Sequence, residues 1–148
     1  LLDEWEALRA GEGAADAAAV VEQRGPRPVT ANVRAFRVLV RNALFRHVEL
    51  LALRRPDLLA ELETGPTAQD WTAMLEAYYE EHARIDTGPD ARGPQMLLVE
   101  QQPDRWLVRQ IVGDPEGDHD WGVSGEVDLR ASDEAGVAVL TVRGLDRL

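Results

Sequence analysis

The apolar residues of this chain change their period once. Up to about residue 84 they recur every three or four positions, and from about residue 95 they alternate or run in short blocks, with the loop DTGPDARGP over 86–94 between the two regimes. A helical part followed by a strand part predicts an α+β fold, in which the helices cover one face of an antiparallel sheet. Four strands are expected. The first spans 96–100 and turns at Pro103-Asp104. The second, 105–112, is apolar on both faces at Trp106, Leu107, Val108, Ile111 and Val112 and is expected to be central. In the third, 121–130, Trp121, Val123, Val127 and Leu129 alternate with smaller or polar residues, and SDEAG reads as a turn into a fourth strand at 137–143.

The helical part divides at its breakers. Thr30 is the expected N-cap of a helix to about Arg55, whose apolar side carries Phe36, Leu39, Val40, Ala43, Leu50 and Leu51. Arg34, Arg37 and Arg41 are expected on the opposite side. Pro56 suits the first turn of a short helix over 57–62 that Gly65-Pro66 ends, and Thr67 with Asp70 has the spacing of a capping box for a third helix over 68–84. The expected core includes Phe36, Leu39, Val40, Leu50, Trp71, Leu75, Val108, Val123, Val127 and Val139. A curved sheet wrapped around the helices, as in the nuclear-transport-factor-2-like cone, is the specific arrangement expected.

At 148 residues and 45% hydrophobic content, one core is expected, over 29–148. Residues 1–28 read as an amphipathic helix with Leu1, Leu2, Trp5 and Leu8 on one face, followed by an Ala/Gly/Pro linker over 11–28. The absent initiator methionine gives the chain the look of an excised piece. No apolar run of membrane length and no secretory leader is readable, so a soluble, cytoplasmic protein is expected. Without cysteine there is neither disulfide nor thiolate chemistry. All 16 basic residues are arginines, and the net charge of −11 is uneven: 24–55 holds eight arginines against Glu49 alone. A basic segment on an acidic body can form one local face for phosphate or for an acidic protein surface.

Three constellations carry chemistry. Arg34, Arg37 and Arg41, about a helical turn apart, could meet successive phosphates or an acidic partner, although arginines opposite an apolar face also make an ordinary solvated surface. Asp114, Glu116, Asp118, His119 and Asp120 crowd five ligand types into seven positions. On a calcium-loop template from Asp114, however, glycine falls at the fourth position and Gly125 at the twelfth, and zinc needs more nitrogen or sulfur, so no metal and no cofactor is expected. A pocket walled by Tyr78, Tyr79 and Trp121 with His82, Asp114 and His119 as acid–base groups is the rival reading; its plain counterpart is core aromatics and rim histidines. No catalytic residue is singled out. With Trp106 and Trp121 the only aromatics on expected strands, a base-stacking sheet lacks its pairs.

The phrases PRPVTANVRAFRVLVRNALFRHVELLALRR, DTGPDARGP and RWLVRQIVGDPEGDHDWGVSGEVDLRASDEAG resemble the domain of unknown function at the C-terminal end of actinobacterial DEAD/DEAH-box superfamily II helicases. The resemblance implies a parent that couples ATP hydrolysis to strand separation, with the helicase core of the same chain as partner and RNA as a candidate ligand. This piece holds no lysine for a phosphate loop and no Asp-Glu-x-Asp/His sequence, so a non-catalytic accessory role is expected. Of its two forms, an extension of the RNA track is preferred over docking on the motor, because 24–55 is the one concentrated basic segment.

Overall fold

A computed structural model describes residues 28–62 and 65–148; the expected N-terminal helix and all of the linker but Pro28 lie outside these. The described elements are α1 (Val33–Ala52), α2 (Pro56–Leu62), α3 (Ala68–Glu81), β1 (Leu97–Gln101), β2 (Arg105–Ile111), β3 (Trp121–Asp128), α4 (Leu129–Ala135) and β4 (Leu140–Arg147). The strands form one antiparallel meander in the order β1-β2-β3-β4, with β2 interior as its two apolar faces require. The fold is α+β.

Local chemistry sets the helix ends. Asn32, not Thr30, caps α1: its side chain accepts from the Ala35 N–H at 3.0 Å. Thr30 sits in the short 3₁₀ turn Val29–Ala31, and its N–H and hydroxyl both donate to Asp133 Oδ1, at 2.9 and 2.8 Å, tying the start of α1 to α4. Thr67 and Asp70 form the expected capping box, with reciprocal bonds of 3.0 and 3.1 Å.

The SDEAG segment is not a turn. Asp128 accepts from the Ala131 N–H at 2.9 Å and opens α4, which Gly136 closes at φ 72°. The buried Ser132 hydroxyl donates to the Asp128 carbonyl at 2.6 Å and accepts from the Val139 N–H at 2.8 Å, folding the helix back onto the next strand. Strand β3 therefore stops at Asp128 rather than 130, and β4 runs later than expected. Its path bends at Gly144, whose φ of 146° side chains rarely adopt, and a Cβ there would lie 2.5 Å from Met74 Sδ of α3.

The helices cover one sheet face. Phe36 meets Trp106 edge to face at 4.9 Å, and Trp71, Leu75 and Tyr78 on α3 join Val123, Val127, Val142 and Leu145 in one continuous cluster. The buried arc of α1 is turned from the expected one. Counting about 100° per residue from Val33, it runs from about 300° at Phe36 through Val40, Leu51, Leu44 and Val48 to about 120° at Phe45, since α1 packs against α2 as well as β2 and β3. Leu39, at about 240°, is consequently 38% exposed, and Leu50 is half-buried. Val139, expected in the core, is also only half-buried, because it precedes β4 instead of lying within it.

Candidate functional site

The same rotation decides what the three arginines do. Arg37, Arg41 and Arg34 fall at about 40°, about 80° and about 100°, on the same side of the helix as the buried arc and not opposite it. Arg37 is half-buried and donates from Nη2 to the Leu97 carbonyl at 2.7 Å. Arg41 is half-buried too, with its Nε out of solvent contact, and Arg34 is exposed. The exposed surface of α1 mixes Arg34 and Arg46 with Val33, Val38 and Leu39. The arginines thus share one helix without forming one open stripe.

A denser constellation stands at the far end of α3. His82 terminates that helix, its N–H bonded to the Tyr78 carbonyl, and its ring is buried with a side-chain exposure of 3%. The β2–β3 connection brings carboxylates to both ring nitrogens: Glu116 Oε1 lies 2.6 Å from Nδ1 and Asp120 Oδ1 lies 3.3 Å from Nε2. Asp114 Oδ2 stands 3.7 Å from Nδ1. The Glu116 contact raises the His82 pKa, burial opposes this, and Asp120 and Asp114 add to the rise. Asp114 is buried, which alone would push its carboxyl up, but N–H donors from Asp118 at 2.9 Å and His119 at 2.8 Å hold it below its ordinary value.

Around this pair lies a second ring of contacts. Tyr78 meets the tilted His82 ring at 5.2 Å and Trp121 edge to face at 5.5 Å, and its hydroxyl donates to the Arg84 carbonyl at 2.6 Å. Burial, with the nearby carboxylates, raises its pKa far above the usual phenol range. Trp121 Nε1–H donates to Glu81 Oε2 at 2.7 Å, and Arg147 bridges Glu81 Oε1 and Asp120. The fold therefore gathers Tyr78, His82, Asp114 and Trp121, four of the six expected pocket residues, while the Tyr79 hydroxyl donates to the Leu51 carbonyl of α1 at 3.2 Å. His119 is left out: its backbone is in the left-handed region at φ 55° and its side chain is exposed. Glu81 and Arg147 belong to the cluster and were not among the expected residues; Arg147 lies past the expected end of the fourth strand, so nothing in the local spacing pointed to it.

Carboxylates at both nitrogens favour the imidazolium form, in which both ring nitrogens are donors and neither has a lone pair for general-base work. Two triplets, Glu81–His82–Asp120 and His82–Asp114–Asp118, each bring three potential ligand atoms within 4.8 Å. Two of these carboxylates already receive protein hydrogens: Glu81 from Trp121 and Arg147, and Asp114 from two backbone amides. The groove of about 610 Å³ between α3 and β4, lined by Asp70, Ala73, Met74 and Val142 among others, lies apart from this cluster. On the open sheet face Arg109 crosses β3, donating to Ser124 at 2.8 Å and Asp146 at 2.5 Å, in space that a Cβ at Gly122 would fill.

The fold and these sites define an α+β domain, a helix-backed antiparallel meander whose ionisable residues are gathered at the end of α3 by ion pairs. The chain belongs to the family described as a domain of unknown function, DUF3516, which matches residues 1–145. No curated protein and no solved structure matches it. Among the described residues, no helix is long and apolar enough to cross a membrane.

Proposed function

We propose that residues 29–148 form a non-catalytic accessory domain of an ATP-dependent superfamily II helicase and dock on its motor through the exposed surface of α1. The helicase context rests on the sequence resemblance, and the accessory role on the missing lysine and missing nucleotide-binding motifs. The observation that carries docking over an RNA track is the character of α1. Arg37 is committed to the Leu97 carbonyl and Arg41 is half-buried, so three free guanidinium forks do not line up for phosphates. Exposed Val33, Val38 and Leu39 beside Arg34 and Arg46 have the mixed apolar and arginine character of a protein interface.

The full-length helicase tests this. Arg34→Glu together with Val38→Asp changes two exposed side chains and no buried one, and is expected to change the coupling of ATP hydrolysis to strand separation several-fold. Its salt dependence of RNA affinity is expected to stay as in the parent. An RNA track of three phosphate contacts would behave differently: removal of 29–148 would flatten the log–log salt slope by about 2 to 3. That flattening, with coupling unchanged in the double variant, would overturn docking.

A further inference from the structure

We propose that His82 is a proton-operated clasp that holds the β2–β3 connection against the end of α3 and releases it when the ring loses its proton. The inference is independent of the docking reading. It starts from hydrogen counting. A neutral imidazole has one N–H and one lone pair, yet Glu116 meets Nδ1 at 2.6 Å while Asp120 meets Nε2 at 3.3 Å. Only the doubly protonated ring satisfies both carboxylates; the neutral ring must turn a lone pair toward one of them.

The surroundings reinforce the charged form. Tyr78 and Glu81 face the ring from α3, and Asp114, Glu116, Asp118 and Asp120 face it from the connection. From β4 comes Arg147, which is spent on Glu81 and Asp120. Carboxylates outnumber cations here, so removing the His82 proton leaves uncompensated negative charge beside a buried ring. Glu116, whose side chain is 50% exposed, can turn to water, whereas Asp114 is 1% exposed and cannot. Release therefore begins at Glu116 and loosens the turn in which Gly117 donates to the Asp114 carbonyl and Asp118 and His119 donate to its carboxylate.

The raised pKa of His82 sets the direction. The clasp is complete below the ordinary histidine value near 6.5 and is lost as pH rises through the elevated value of the closed form. Between the two, the closing constant falls by about tenfold per pH unit, and then it levels off.

The test is NMR on the whole chain: titration of the His82 ring carbons, and hydrogen exchange of the Gly117, Asp118 and His119 amides corrected for the intrinsic rate at each pH. His82 is expected to titrate above 6.5, with protection of the three amides falling over the same range. His82→Gln should give a flat profile, and His119→Gln, which changes an exposed ring, should leave the profile as it is. A His82 ring already neutral at pH 6, or an unchanged profile in His82→Gln, overturns the clasp. Should His82→Gln fail to fold, Glu116→Gln decides: the His82 midpoint and the amide profile must fall together, and a midpoint that does not move refutes the proposal.

Discussion

Arg54 adopts φ 55° where α1 gives way to α2, a left-handed conformation that costs a side chain about 1–2 kcal/mol. The position demands it: the Arg54 N–H bonds the Leu51 carbonyl at 3.1 Å and the Arg55 N–H bonds the Leu50 carbonyl at 3.0 Å, a helix closure that glycine usually supplies. Arginine recovers part of the cost by laying its guanidinium 3.8 Å from the centre of the Tyr79 ring. Such a stack contributes about 0.5–1 kcal/mol at an exposed site. Arg54→Ala keeps the strain and loses the stack, so it should destabilise by about that amount. Arg54→Gly loses the stack and about 0.5–1 kcal/mol of chain entropy but relieves the strain, which leaves it close to the parent. The expected order is Gly near wild type and Ala below both. Urea unfolding would show it as a lower midpoint for Ala at unchanged m, and thermal unfolding as a gap of about 2–6 °C. An alanine variant as stable as the glycine one would refute the claim that backbone strain at this joint is real.

Two further outcomes are expected. Val40→Ala should cost about 1–3 kcal/mol and Leu39→Ala less than about 0.5 kcal/mol in the same unfolding assay, because Val40 is fully buried and Leu39 is 38% exposed. Asp114→Asn can accept from one of two backbone amides and confronts the other with an NH₂, so it should lose about 1–3 kcal/mol at neutral pH. The depressed pKa of Asp114 adds a signature: its stabilisation is present above the ordinary value of 3.8 and disappears as pH falls through the lower folded-state value. Acid unfolding of Asp114→Asn should therefore be less steep below pH 4, which a pH series of unfolding midpoints would detect.

Elements whose signals are local were legible in the sequence. The period change at the 86–94 loop separated the helices from the sheet, and Thr67 with Asp70 marked the start of α3 to the residue. The misses have two causes. One is competition between signals: Leu129 continues the alternation of Val127, so a seven-residue helix begun by Asp128 reads as the end of a strand, and every position of β4 shifts with it. The other is tertiary: spacing shows that α1 is amphipathic, but which arc is buried depends on α2 and the sheet together, and so the placement of Leu39 and the arginines was out of reach. The His82 cluster falls between these cases. Its carboxylates were visible as a crowded turn, while their meeting with a helix end and with Arg147 depends on contacts 34 to 66 residues apart in the chain.

The bond from Arg37 to the Leu97 carbonyl has a consequence for how this domain meets other chains. An open sheet ends in two edge strands whose outward backbone groups can capture a strand from a neighbour. At β1, one of those outward carbonyls is already occupied by the Arg37 guanidinium. At β4, the Gly65 backbone lies so close over the Val142 carbonyl that a Cβ there would sit 2.9 Å away. One backbone acceptor on each rim of the sheet is thereby covered, which hinders an incoming strand at those positions and disfavours edge-to-edge assembly there.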